Sequence, residues 1–170
     1  MALIVQNDAG SDPNANGYLS AEEFKAYHAD RGKTFPKASA AEIASAIVRA
    51  SDYLDQRFQF VGQRRYRGQL LAWPRQNARD NDGGFQNGVP SAVKRATAEY
   101  AARALERDLN PDPTLDPSGR NITEFSEKLG PLEETTKYSD PSPVLPSFPA
   151  ADLLLRRSGL LVSGGTIRLG

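Results

Sequence analysis

Between Ser39 and Gly62 the chain carries a helical period that leaves little freedom in how this stretch can fold. Ile43, Ile47, Ala50, Leu54 and Phe58 recur at three- and four-residue intervals, so they fall on one stripe of a helix. Ser39 and Glu42 have the spacing of a capping box, and Gly62 stands where a C-terminal stop is expected. A second box, Ser20 with Glu23, opens a shorter helix that buries Phe24 and Tyr27 and ends at Gly32. Pro90 begins a third, with Val93, Ala96, Tyr100, Ala101, Ala104 and Leu105 on its inner face and Asn110-Pro111 beyond its end. Its alanines allow a neighbouring helix to approach closely. Apolar stripes of this kind must be buried against one another. The expected fold class is therefore mainly α, a helical bundle with a small β-hairpin and an extended C-terminal arm.

The hairpin is expected near 120–138. Candidate strands at 120–129 and 131–138 meet at Gly130-Pro131, after a Pro- and Asp-rich connector over 110–118. Residues 63–75 read as extended and 76–88 as a polar loop. Pro141, Pro143, Pro146 and Pro149 stiffen the segment after the hairpin, and a short helix is expected from Pro149. The end, from Gly159 to Gly170, reads as a tail that orders on contact with a partner. The chain thus divides into a helical core at 1–140 and an arm at 141–170. On this reading a chain cut after Pro146 stays folded. A short helix cannot bury leucines on all sides against one body, so Leu153, Leu154, Leu155, Leu160 and Leu161 are candidate docking residues, oriented by Arg156, Arg157 and Arg168.

Composition narrows the chemistry. At 170 residues the chain has room for one domain with a real core. It has no cysteine, which removes disulfides, thiolate metal sites and a cysteine nucleophile. His28 is the only histidine, and it has no motif partner near it in sequence. Phosphate loops, dinucleotide fingerprints and zinc motifs are missing. The expectation is a protein without catalytic activity and without a cofactor. Apolar runs such as Ala2–Val5 are far too short to span a bilayer, and the N-terminus lacks a signal-peptide layout, so no membrane partner is expected.

Three segments could still bind something. Asp12-Pro-Asn14-Ala-Asn16-Gly17-Tyr18-Leu-Ser20-Ala-Glu-Glu23 matches the calcium loop of an EF-hand. Its ligands would be Asp12, Asn14, Asn16, Tyr18 (through its carbonyl) and Glu23. No amphipathic helix enters the loop, no second hand pairs with it, and Ser20 and Glu23 already account for a helix cap. A polar turn feeding that cap is the expected structure. Asp80-Asn81-Asp82-Gly83-Gly84 also reads as a tight turn. The third segment is basic. Although the 21 basic and 21 acidic residues balance overall, residues 49–79 hold Arg49, Arg57, Arg64, Arg65, Arg67, Arg75 and Arg79 against only Asp52 and Asp55. Tyr66 and Trp73 are interleaved with them. A protein interface, a single-stranded nucleic-acid platform and an ordinary solvated stretch all fit, with Arg64, Arg65 and Arg67 as the interface or DNA-channel candidates.

Taken in order, several landmarks resemble one family of tailed-phage proteins. They are Asn14-Ala15-Asn16-Gly17-Tyr18-Leu19-Ser20, Arg49-Ala50-Ser51-Asp52-Tyr53-Leu54-Asp55, Leu71-Ala72-Trp73-Pro74-Arg75, Asp80-Asn81-Asp82-Gly83, Val89-Pro90-Ser91-Ala92-Val93-Lys94-Arg95-Ala96 and Gly130-Pro131-Leu132-Glu133. Members of this family are often labelled DnaT-like single-stranded-DNA-binding proteins but look like head–tail adaptors. The resemblance implies a mostly helical adaptor, made in the host cytoplasm and residing in the virion neck, that forms a ring of typically twelve copies under the portal protein. Its implied partners are the portal, neighbouring copies of itself, a tail-side neck or stopper protein, and packaged DNA in the channel. The full oxygen set of the EF-hand-like loop departs from the family pattern, where that region is a plain turn and cap. The inherited label implies a different function, binding of single-stranded DNA, and a lone-hand calcium module is a third reading.

Overall fold

The computed structural model describes residues 2–112, 122–128, 133–138 and 147–166. Four helices and three two-stranded antiparallel pairings lie within them: α1 (Ala21–Ala29), α2 (Ala40–Arg57), β1 (Phe58–Phe60), β2 (Gln63–Arg64), β3 (Arg75–Gln76), α3 (Ser91–Glu106), β4 (Ile122–Lys128), β5 (Glu133–Tyr138), α4 (Pro149–Arg156) and β6 (Leu161–Thr166). Helices supply most of the core, yet the molecule is a mixed α/β structure and not clearly a bundle.

Both expected capping boxes are present, Ser20 with Glu23 on α1 and Ser39 with Glu42 on α2. Each satisfies backbone donors that the first helical turn leaves open. Helix α2 stops short of Gly62 because Phe58 turns extended, at φ −118° and ψ 138°. Phe58 and Phe60 then point inward from β1 while Gln59 faces solvent. Along α2 the inner stripe is Ile43, Ala46, Ile47, Ala50, Tyr53 and Leu54, and it packs on α3 through Val93, Ala96, Tyr100, Ala101 and Ala104.

The expected arm is the largest correction. Described residues up to 109 and from 148 to 166 group into one compact unit, and described residues from 110 to 147 into another. Helix α4 packs on α3, and β6 pairs antiparallel with β1 through Phe58↔Thr166 and Phe60↔Leu161. Leu155 and Leu160 are buried in the same core as Trp73 and Tyr18. The reason is chemical. Asp152, inside an otherwise apolar turn, forms an ion pair with Arg57 at 3.1 Å and accepts a hydrogen bond from Tyr100. Phe148 adds edge-on contacts to Tyr53 and Tyr100. Gly159, at φ 73°, turns the chain from α4 toward β6 so close to Asn81 that any Cβ would collide. Asn81 in turn donates from its side chain to the Arg157 carbonyl at 2.8 Å. Residues 159–166 of the expected tail therefore order on their own chain, residues 167–170 lie outside the described residues, and a cut after Pro146 removes part of the core and does not leave it untouched.

In the second unit, β4 and β5 pair over Ile122↔Tyr138 to Lys128↔Glu133, as the hairpin expectation required. Gly130-Pro131 and the prolines at 141, 143 and 146 lie outside the described residues.

Candidate nucleic-acid interface

Four of the seven arginines have structural work to do. Arg49 donates to the Ala104 carbonyl of α3, at 2.7 Å. Arg57 is the partner of Asp152. Arg75 reaches the carbonyls of Phe60, Val61, Gly62 and Ala72, which ties β3 to the end of β1. Arg79 donates to the Gly83 carbonyl and lies over the ring of Phe85.

The remaining three lie at the end of β2 (Arg64) and in the β2–β3 loop (Arg65 and Arg67). Arg64, Arg65 and Arg67 are exposed, and none makes a side-chain hydrogen bond or ion pair among the described residues. Between them sits Tyr66, 51% exposed, and Leu70 of the same loop is 62% exposed. Arg64 stands directly opposite Arg75 across the short ladder. Like charges in that position repel, so an anion at this edge would relieve the pair. Burial first, and then the charge of Arg64, hold the Arg75 guanidinium below its usual range.

The loop is held firmly from below. Gln69 accepts from the Tyr66 amide at 3.1 Å and donates to the carbonyls of Leu71 and Pro74. Asp55 of α2 accepts from the Ala72 amide and from the hydroxyl of Tyr18, both at 2.6 Å, and that hydroxyl accepts from the Trp73 amide at 3.1 Å. Burial pushes the Asp55 carboxyl up to about 6 even though these donors favour its charged form. Burial, with the nearby Asp55 charge, also raises Tyr18 well above the ordinary tyrosine range. Trp73 is fully buried, edge-on to Phe60 at 5.6 Å, so it is a core residue and has no face to offer a base.

Several of the EF-hand-like residues hold the local fold together. Asp12 accepts from the Asn14 amide, and Asn16 clasps Ile4 and Ala2 through both ends of its amide. Tyr18 is buried, its amide directed to Ser51. Glu23 closes the α1 cap and forms an ion pair with Lys94 at 3.0 Å. Asp80 organises its turn by accepting from Asp82, Gly84 and Gln86. Of the docking candidates, Leu155 and Leu160 are core residues, Leu154 and Leu161 are half-buried, and Leu153, Arg156 and Arg157 face outward. Arg168 lies outside the described residues.

A family model described as "Putative DnaT-like ssDNA binding protein" matches residues 1–169. The chain belongs to this family. No curated protein and no solved structure matches it. For a DnaT-like chain, what sequence reasoning missed is the role of two acids, the partly buried Asp55 and the buried Asp152. Each sits beside leucine on an apolar helical stripe, and a charge in that setting marks a buried partner.

Proposed function

We propose that this DnaT-like protein is a non-catalytic DNA-binding protein that holds a single strand on its β2–β3 loop. One observation carries the reading. Three of the seven arginines in residues 49–79 make no side-chain hydrogen bond or ion pair among the described residues, and they follow one another through the end of β2 and the exposed loop after it, around a half-exposed tyrosine. Guanidinium groups match phosphate oxygens two at a time, and a tyrosine face accepts any base. The family description points the same way.

Fluorescence anisotropy with a labelled oligo-dT strand tests it. Wild type should bind at low salt and weaken steeply as salt rises. The triple variant Arg64→Ala, Arg65→Ala, Arg67→Ala should lose most of the affinity. Its log–log salt slope should be shallower by about 2, since each phosphate contact on a single strand contributes about 0.7. Equal binding by wild type and triple variant would refute the assignment.

A second reading is favoured by the exposed leucines. Leu70 beside the arginines, and Leu153 on the outer face of α4, give the arginine-and-apolar composition of a protein interface. On that reading the chain is a virion head–tail adaptor, a ring subunit under the portal whose loop faces the DNA channel or the next copy. Co-sedimentation with a portal ring tests this, and a Leu153→Asp chain that still joins the ring would count against it.

A further inference from the structure

Beside the arginine loop lies a cleft of about 360 Å³, lined by Gly10, Ser11 and Pro13 of the N-terminal loop and by Tyr66, Gly68 and Gln69 of the β2–β3 loop. That volume is within the ~300–1,000 Å³ range of small-ligand clefts. Both walls are fixed. Gly10, at φ 70°, lies so close to Pro74 that a Cβ would come within 2.6 Å of the proline ring. Asn7 and Ser11 exchange two hydrogen bonds across the turn, at 2.9 and 3.1 Å. Gln69 spends its whole amide on Tyr66, Leu71 and Pro74, so it braces the opposite wall.

We propose that this cleft is a slot for one unstacked base of a DNA single strand, bound against Tyr66 while Arg64, Arg65 and Arg67 hold the flanking phosphates. The proposal rests on the DNA-binding reading above and gives it selectivity. The occupant follows from the surroundings. The half-exposed Tyr66 is one of the cleft's lining residues, and the exposed Arg64, Arg65 and Arg67, within two residues of it in sequence though outside the cleft lining, offer charge to phosphates next to a base held there. The Ser11 hydroxyl accepts from Asn7, which leaves its own proton free for an acceptor on a base edge. A preformed slot loses little freedom on binding, so the base can contribute nearly its full stacking energy. The N-terminal loop that mimics a calcium site thereby has a different task, as one wall of the slot.

Anisotropy with two labelled strands of equal length and equal phosphate charge separates the possibilities. One strand is oligo-dT and the other carries an abasic sugar at every position. Wild type should prefer oligo-dT by roughly 5- to 150-fold, the span of one base stacked on one aromatic side chain. Tyr66→Ala should bring oligo-dT down to the abasic level and leave the abasic affinity within about threefold of wild type. Tyr66→Phe should keep the preference. Gly68→Leu adds bulk at the rim, where nothing lies within 4 Å of a new Cβ, and should also erase the preference with an unchanged melt. Equal wild-type affinity for the two strands would overturn the slot and leave the phosphate-binding loop standing. Failure of both strands to bind would overturn the slot and the DNA-binding reading together.

Discussion

Replacing Asp152 by alanine tests whether the C-terminal helix belongs to the core. Asp152 and Arg57 form an ion pair at 3.1 Å with side chains only 8% and 13% exposed, and Tyr100 donates to the other carboxylate oxygen. In Asp152→Ala the guanidinium keeps its charge and its bond to the Tyr53 hydroxyl, at 2.8 Å, but loses its carboxylate. Its Nε already lacks a partner among the described residues. Removing one member of a buried pair costs about 3–5 kcal/mol. A domain of this size has roughly 5–15 kcal/mol in total, so the loss is a large share of its stability. The expected fall in melting temperature is roughly 6–20 °C, from about 2–4 °C for each kcal/mol in a chain of this length. Thermal melts by circular dichroism and urea titrations would measure it. On the same helix, Leu153→Ala removes a side chain that is 47% exposed and should cost under about 1 kcal/mol. Arg57→Met combined with Asp152→Leu should recover most of the loss, because an apolar replacement leaves no buried charge behind. If Asp152→Ala lies within about 1 kcal/mol of wild type, helix α4 is not part of the cooperative core and the ion pair does not hold it there.

A chain cut after Pro146 lacks Leu155, Leu160 and the partner strand of β1, and should show no cooperative melt; a wild-type melt would contradict the packing of α4. Asp55 titrates at about 6 when folded and near its ordinary 3.8 when unfolded, so the folded state holds its proton longer. Its ionisation therefore subtracts about 3 kcal/mol as pH rises from about 4 to above 6. Urea titrations should show wild type losing stability relative to Asp55→Asn across that window, and a pH-independent difference would rule the effect out. Trp73→Ala, at a fully buried site, should cost about 3–5 kcal/mol, whereas Tyr66→Ala should cost under about 1; equal melts for the two would be inconsistent with their placement. Glu23→Ala removes the α1 capping box and should cost about 1 kcal/mol. It should leave calcium calorimetry unchanged, with no binding tighter than roughly millimolar in either protein, and a micromolar isotherm lost in the variant would restore the EF-hand reading.

Local rules of helix chemistry were legible in the sequence. Ser20 with Glu23 and Ser39 with Glu42 cap their helices because both hydrogen bonds of a capping box form within four residues. The stripes of α2 and α3 follow from a period fixed by backbone geometry, and the turn at Asp80 from a side chain that bonds its own neighbours. Arg64, Arg65 and Arg67 could be named as a candidate group because charge asymmetry is a property of the string. That asymmetry does not reveal which arginines are free. Arg49, Arg57 and Arg75 belong to the same basic segment as Arg64, yet carbonyls and a carboxylate distant in sequence occupy them.

Partners of that kind mark the division between what was readable and what was not. The amino-acid sequence by itself determined the four helices, the β4–β5 hairpin, the caps and the basic segment, since each depends on residues a few positions apart. Only the tertiary structure decided that Trp73 is a core residue, that Asp55 supports the loop from beneath, and that Asp152 draws the C-terminal helix onto Arg57 across 95 positions. Prolines before α4 suggested an extended arm because proline acts on the local backbone. Where α4 and β6 settled depended on one buried charge finding its counter-ion and on Leu155 and Leu160 leaving water, and a local pattern carries no record of either.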